Sequence, residues 1–229
     1  MKMTGAFLMK ILAIEFCSEE RSVAIVERLS GEQSQLRGSA FEKGGRSAHA
    51  FALIEQALQQ AQMEREEIEC VAVGLGPGSY TGIRAAIAFA QGWQLAREIK
   101  LVGISSVECL AAQSFANGTR GRANFIIDAQ RNEFYSAAYE INESGFSAIE
   151  PLHLATFAEV EKRAVENQFV FGPDVMRLFP GAQDLFPNAT ALGQLACKKT
   201  DFVSGEKMEP IYLREVSFVK APPPRVISY

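Results

Sequence analysis

The sequence predicts an α/β protein made of two similar lobes, each built around a mixed sheet. Two short apolar runs and an alternating stretch, separated by turns, open the chain, which is typical of a strand meander. Helical and strand patterns then alternate as far as Ile104, and the order β-β-β-α-β returns from Asn124 onward. Two halves with the same element order predict a duplicated, two-lobed actin-like (ribonuclease H-like, ASKHA) fold with mixed sheets, each antiparallel at one edge.

The opening meander is predicted from apolar runs at residues 11–14 and 22–26 and from the alternating pattern at residues 33–41. Polar residues 15–21 form the first turn, and the glycine-containing stretch 43–47 ends the meander. Helix one follows, with apolar side chains at helical spacing: Ala50, Leu53, Ile54, Ala57, Leu58 and Ala61.

The rest of the first half alternates strands and helices. A buried-type strand at residues 70–74 runs into a glycine-rich loop. A second helix is predicted at residues 81–97 and a further strand at 101–104. In the second half the pattern predicts a hairpin of strands at 124–128 and 133–141, a third strand after the turn at 142–145, a helix at 156–166 and a strand at 168–171.

These elements divide the chain into a first lobe at residues 9–107 and a smaller second lobe at 108–205. We expect residues 206–229 to pack back on the first lobe, with a flexible end, because the proline-rich stretch 221–225 predicts extended or disordered chain. Met9 is a second candidate start, which would leave residues 1–8 as a loose tail.

The composition is that of a globular protein and disfavours autonomous nucleic-acid binding. The 229 residues are 48% hydrophobic and 22% charged, enough to bury a core without disulfides or metals. The net charge is −4, so the chain has little electrostatic attraction for a phosphate backbone. The chain alone is therefore not expected to bind tRNA or DNA.

The cysteines and the apolar segments point to the cytoplasm. Cys17, Cys70, Cys109 and Cys197 lie far apart without a C-x-x-C pair, which favours reduced core thiols over a zinc site or a disulfide framework. Apolar stretches fall short of the roughly 18 residues that a membrane span needs. Lys10 and Glu15 interrupt the apolar start before a signal-peptide core could form.

The glycine-rich loop at residues 76–84 is the densest local motif. Glycines allow close backbone approach, and the amides at a helix start attract anions, so Gly76, Gly78, Ser79 and Thr81 are candidate phosphate-binding residues. The favoured interpretation is a self-capped strand-to-helix turn, because the Lys-Ser/Thr pair of a P-loop is missing.

The end of the first strand and the histidines give little support for catalysis. Actin-like ATPases place phosphate beside a carboxylate, a Ser/Thr and a glycine at this strand end, whereas this loop lacks glycine and adds Glu19 and Glu20 to Glu15. His49 has no histidine four residues away, and His153 is far from it in sequence, so a helical metal pair is absent. A G-x-S-x-G elbow is also absent.

Helix two carries many small residues, and this predicts a protein interface. One helix face covers the sheet, and the opposite face of this helix is expected to be alanine-rich rather than polar. The interface residues predicted on helices one and two are His49, Leu53, Ala57, Ile83, Ala86, Ile87, Ala90 and Trp93.

Four stretches carry a resemblance to a known family: residues 11–15 (ILAIE), 76–84 (GPGSYTGIR), 128–135 (DAQRNEFY) and 210–214 (PIYLR). In these stretches, which occur in order within residues 9–220, the chain resembles the TsaB (YeaZ) family. These are bacterial partner proteins in tRNA threonylcarbamoyladenosine synthesis. The loop is the most specific of the four.

The resemblance implies a noncatalytic subunit without a cofactor that binds and stabilises the catalytic subunit TsaD, with the ATPase TsaE joining the assembly. Together they transfer a threonylcarbamoyl group from its adenylate to the adenosine beside the anticodon, in tRNAs that read codons starting with A. It implies that tRNA is reached only through the complex. It further implies that helices one and two, here residues 47–62 and 81–97, contact TsaD and form a homodimer when TsaD is absent.

Three departures bear on this resemblance. Glu15 stands where the family usually has Asp, and Cys17 replaces the usual hydroxyl residue, which makes nucleotide binding less expected. The paired helical histidines of the catalytic relative are missing, which separates the chain from TsaD.

The alternative hypotheses are an actin-like ATPase or phosphotransferase acting on its own, and a metallopeptidase.

Overall fold

The computed structural model describes residues 9–29, 33–44, 49–166 and 169–213. Two five-stranded mixed sheets form the frame of the molecule. The predictions for the loose tail at 1–8 and for the proline-rich stretch at 221–225 lie outside the described residues.

The first sheet has the strand order β3-β2-β1-β4-β5. Strands β1, β2 and β3 form the antiparallel meander, and β4 and β5 run parallel to β1. The strands are β1 (Met9–Glu15), β2 (Glu20–Arg28), β3 (Ser34–Lys43), β4 (Cys70–Gly74) and β5 (Lys100–Ile104).

The second sheet repeats this topology, with the order β10-β9-β6-β7-β8. Strands β6, β7 and β8 are antiparallel, and β9 and β10 run parallel to β6. The strands are β6 (Gly121–Asp128), β7 (Glu133–Asn142), β8 (Gly145–Thr156), β9 (Phe169–Gly172) and β10 (Gln183–Asp184). The duplicated, two-lobed actin-like prediction is confirmed.

Five α-helices cover the sheets in the described part of the chain. They are α1 (Ala50–Ala61), α2 (Tyr80–Ala96), α3 (Ser106–Ala116), α4 (Phe157–Val165) and α5 (Ala189–Ala196). Helices α1 and α2 pack on one face of the first sheet, and α5 packs on the other. Helix α3 packs on α5 and on the second sheet, whose far face is covered by α4.

Alternation along β1 shows how the first sheet serves two cores. Leu12 and Ile14 point into the core under α1 and α2, whereas Ile11 and Ala13 point toward α5. Because successive side chains of a strand leave opposite faces, a strand buried on both sides reads as a continuous apolar run. The apolar run of β1 therefore predicts a buried strand, but it does not show that helix α5 covers the second face.

The two lobes differ where the counterpart of α2 would lie. Residues 173–182, between β9 and β10, form turns rather than a helix. Residues 203–212 return to the first lobe, where Met208 is buried in the core under α2. The domain bounds after residues 107 and 205 stay a prediction.

The remaining global predictions concern thiols and membranes. Cys17, Cys70, Cys109 and Cys197 are all buried and free, and burial raises the pKa of the Cys70 thiol to about 12. Across the described ranges, no helix is both long and apolar enough to cross a bilayer.

Candidate functional site

The two outer helices of the first lobe, α1 and α2, form the candidate site. On α2 the apolar pair Ile83 and Ile87 points into the core, and Ala86 and Ala90 lie on the same face because three-residue and seven-residue steps return to it. Their exposed fractions are 6% or less. The core face of α2 is thus small as well as apolar, which lets the helix lie close to the sheet.

This geometry corrects six of the eight interface residues predicted from the sequence. Leu53, Ala57, Ile83, Ala86, Ile87 and Ala90 are buried in the first core and cannot contact a partner in the folded chain. The prediction was wrong because it assigned the alanines of α2 to the outer face, whereas α2 has alanines on both faces. His49 is exposed, and Trp93 is half-buried.

A groove between α1 and α2 opens on the outer face. It has a volume of about 580 Å³, and small residues of α2 line it at helical spacing: Ala85, Ala88, Gly92 and Ala96. A Cβ atom built on Gly92 would have no neighbour within 4 Å, so this part of the groove is open. The sequence predicted an alanine-rich outer face on this helix, but these residues were not among the predicted interface residues, although their spacing relative to Ile83 and Ile87 was the available signal.

Three aromatic side chains line the groove. The Phe51 ring from α1 lies edge-on to Phe89, with 4.9 Å between centroids, and Phe89 lies 5.9 Å from Trp93. Phe51 is 70% exposed, which is unusual for so large an apolar side chain. Exposed aromatic residues beside an open apolar surface are typical of protein interfaces.

Charged residues lie at one end of the groove. The Arg97 guanidinium donates to the carbonyl oxygens of Arg65 and Glu66, at 3.1 and 2.8 Å. Arg65 Nε donates to Glu55 Oε1 at 2.7 Å. The groove is therefore apolar along α2 and has hydrogen-bonded charged side chains at one end, an arrangement that resembles the core and rim of an interface.

The glycine-rich loop has the geometry of a self-capped turn. Gly76 and Gly78 have positive φ, 84° and 147°, and the Ser79 hydroxyl accepts the amide of Gly82 at 3.3 Å. Ser79 N donates to the Cys17 carbonyl at 2.6 Å, which brings the loop against the β1–β2 turn. Thr81 is exposed in the first turn of α2. Phosphate binding by Gly76, Gly78, Ser79 and Thr81 stays a prediction.

Glu15, at the end of β1, is turned into the protein. Its side chain is fully buried, accepts from Ser106 Oγ at 2.8 Å and accepts from Cys17 N at 2.9 Å. Burial raises the pKa of this carboxyl group, and the hydrogen bonds only partly offset that effect. A carboxylate held in this way ties β1 to the start of α3 and does not face solvent.

Replacing Glu15 with glutamine is expected to stabilise the protein increasingly as pH rises. A raised pKa in the folded state means that wild-type stability is highest below the unfolded pKa and is lost as pH rises through the folded value. Glutamine keeps the shape and a hydrogen-bonding oxygen without that ionisation. Urea unfolding from pH 4, below the usual glutamate pKa, to pH 9 measures the difference, with Glu98→Gln, at an exposed carboxylate, as control. A difference that stays constant or shrinks with pH contradicts the assignment.

A cleft between the lobes lies beside the glycine-rich loop. It measures about 450 Å³ and includes Gly78 and Ser79 but neither Gly76 nor Thr81. Its charged lining residues are Asp128, Asp174 and Arg177. Two acids against one cation do not favour a polyphosphate there, since like charges repel.

The histidines lie in separate lobes. His49 Nδ1 lies 3.1 Å from Glu42 Oε2, and His153 Nε2 lies 3.4 Å from Glu150 Oε1. Within the described residues, no group of three or more His, Cys, Asp or Glu side chains is placed to hold a metal ion.

Comparisons with known proteins agree with this fold. A family model described as TsaD, tRNA N6-adenosine threonylcarbamoyltransferase, matches residues 46–199, which include all five helices. The chain is 29% identical to the tRNA threonylcarbamoyladenosine biosynthesis protein TsaB of Escherichia coli, with 93% of this chain and 99% of that protein covered. The TsaB of Haemophilus influenzae is 25% identical, with 93% and 97% covered.

A solved structure gives the same fold. The structure named YeaZ from Pseudomonas aeruginosa has a TM-score of 0.72 and 22% identity, with 90% of this chain and 100% of that chain covered. At this identity the likeness concerns the fold alone. From the family-model match, the chain belongs to the family that the TsaD model describes, and its relatives over nearly the whole chain are TsaB (YeaZ) proteins.

Proposed function

We propose that this chain is a noncatalytic subunit in tRNA threonylcarbamoyladenosine biosynthesis that binds a TsaD-type catalytic subunit through the α1–α2 groove. A TsaE-type ATPase joins the complex, and tRNA is reached only through it. The proposal places the chain in the cytoplasm. The pathway is supported by the names of the TsaB relatives.

The groove is the observation that carries the binding role. Its walls are aromatic, its lining along α2 is made of small residues, and hydrogen-bonded charged side chains lie at one end. Small residues let a helix of another protein come close to α2, and the aromatic rings supply apolar area that water leaves on binding. In the absence of TsaD, a second copy of the chain would cover the same surface.

The chemistry of the cleft supports a noncatalytic role. Glu15 lies at the position where actin-like ATPases hold magnesium and phosphate. Its carboxylate instead accepts hydrogen bonds from Ser106 Oγ and Cys17 N inside the protein. The cleft itself carries Asp128 and Asp174. Because the Glu15 carboxylate faces the protein interior and not the cleft, the ATPase or phosphotransferase alternative is less well supported.

A reconstitution tests the proposal. TsaD-type and TsaE-type proteins of the same organism are incubated with tRNA, ATP, threonine and bicarbonate, together with the enzyme that makes threonylcarbamoyl-adenylate. Modified adenosine is then measured with and without this chain. We expect modification to depend on the chain, and calorimetry of the isolated chain to give no binding of magnesium ATP. Modification that is equally fast without the chain contradicts the subunit role, and tight nucleotide binding by the chain alone favours the ATPase alternative.

A further inference from the structure

Helix α2 has three faces, and a segment from the C-terminal part of the chain covers one of them. We call residues 203–212 the strap. The core face of α2 points into the first lobe, and the groove face is open. The third face holds the side chains that contact the strap: Tyr80, Arg84, Gln91 and Gln94. Steps of four, seven and three residues keep these side chains on one side of the helix.

The strap is hydrogen-bonded to α2 near the C-terminal end of the helix. Gln91 Nε2 donates to the Gly205 carbonyl at 2.8 Å, and Gly205 N donates to Gln94 Oε1 at 2.7 Å. Gln94 Nε2 also donates to the Ile99 carbonyl at 3.2 Å. Both backbone groups of Gly205 are therefore satisfied by side chains of the helix, a pairing that fixes the helix and the strap to each other.

Aromatic contacts hold the N-terminal end of the same face. The Tyr212 ring stacks on Tyr80, with 5.6 Å between centroids and 23° between planes. The Arg84 guanidinium lies 4.3 Å from the centre of the Tyr80 ring. The strap thus contacts α2 near both ends.

The strap is also anchored in the first lobe at three further points. Val203 N donates to the Leu101 carbonyl, and Ile211 N donates to the Leu75 carbonyl, each at 2.9 Å. Between them, Met208 is 4% exposed and belongs to the core under α2. Strand β5 belongs to the sheet, and Leu75 N donates to the carbonyl of Ile104 in β5 at 2.9 Å. Because both anchor points are held by the sheet, the strap holds α2 against it.

We propose that the strap is a positioning element for the α1–α2 groove: it fixes α2 on the side away from α1, so that the groove is preformed. The inference rests on the proposed function for its partner. A preformed groove binds more tightly because less conformational freedom is lost on association. The residues that carry this role are Gln91, Gln94 and Tyr212, none of which lines the groove.

The test compares two variants of α2 that add the same charge. Gln91→Glu places a carboxylate oxygen against the Gly205 carbonyl and removes the donor, whereas Leu95→Glu alters a side chain that is 90% exposed. We expect Gln91→Glu to speed amide hydrogen exchange in α2 by about tenfold or more, since the strap contact is lost. Exchange in β6 and β7 should be unchanged. Leu95→Glu should match wild type.

Affinity for the TsaD-type protein of the same organism, measured by calorimetry, gives the second measurement. We expect Gln91→Glu to weaken it by about tenfold. Tyr212→Ala, a milder change at a partly exposed ring, should weaken it by about threefold. If Gln91→Glu does not fold, Tyr212→Ala decides between the outcomes.

Two outcomes overturn the strap proposal: exchange in α2 like that of Leu95→Glu, or faster exchange with unchanged affinity. Failure of the unchanged chain to bind the TsaD-type protein is a different result. It contradicts the proposed function, and the exchange rates of α2 then decide whether the strap fixes the helix.

Discussion

Replacing Ala88 with arginine is expected to weaken binding of a TsaD-type subunit by about a hundredfold or more, on the order of 3 kcal/mol, without unfolding the chain. Ala88 is exposed on α2 and lines the groove beside Phe89. An arginine there fills space that a partner needs and buries an unpaired charge on association. Calorimetry or surface plasmon resonance with the TsaD-type protein measures the effect.

Ala158→Arg is the matched control for this variant. Ala158 is an exposed helical alanine on α4, in the second lobe. It should bind like wild type and melt at the same temperature. Normal binding by Ala88→Arg contradicts the placement of the interface in the groove.

Ala86→Arg or Ala90→Arg, which the sequence pattern alone would have suggested, is instead expected to unfold the lobe, because both alanines are fully buried.

Replacing Gly82 with alanine is expected to destabilise the protein by about 2 kcal/mol or more. A Cβ atom at this position would lie 2.0 Å from the Phe16 carbonyl oxygen, so α2 and the β1–β2 turn would have to separate. The usual gain of about 1 kcal/mol for alanine over glycine in a helix does not offset such a clash. Urea unfolding followed by circular dichroism measures the loss.

Gly92→Ala, on the same helix, controls for helix propensity. A Cβ atom there meets no atom within 4 Å, so this variant should be stabilised by up to about 1 kcal/mol. The two substitutions are chemically identical and are expected to have opposite signs. Equal effects from both would show that the β1–β2 turn does not contact α2 as closely as the structure has it.

The sequence predicted the frame of the fold because the strands carry strong local signals. Apolar runs such as that of β1 and the spacing of Leu53, Ile54, Ala57 and Leu58 require only neighbouring residues to be interpreted. The repeat of the element order then indicated the duplication. The turns at residues 173–182, where α2 has no counterpart, were not foreseen, because short apolar segments fit several structures.

The candidate site was less predictable, because it depends on which face of a helix is buried. Helix α2 has alanine on both its buried and its exposed face, so Ala86 and Ala88 cannot be told apart by residue type, yet the first is buried and the second is exposed. Only the positions of Ile83 and Ile87 indicate the core side. The sequence predicted that residues 206–229 return to the first lobe, but local patterns did not show that the strap contacts α2. Gln91 and Gly205 are 114 residues apart, and such long-range pairing leaves no periodic trace.

The central claim is that this chain binds a TsaD-type subunit through the first lobe, and the most direct measurement is its mass in solution. Size-exclusion chromatography with light scattering is run on the chain alone, on the TsaD-type protein of the same organism, and on their mixture. We predict a complex that contains one copy of each, formed by wild type and Ala158→Arg but not by Ala88→Arg. Two separate peaks for the wild-type mixture, with TsaE-type protein, nucleotide and tRNA present, would contradict the account.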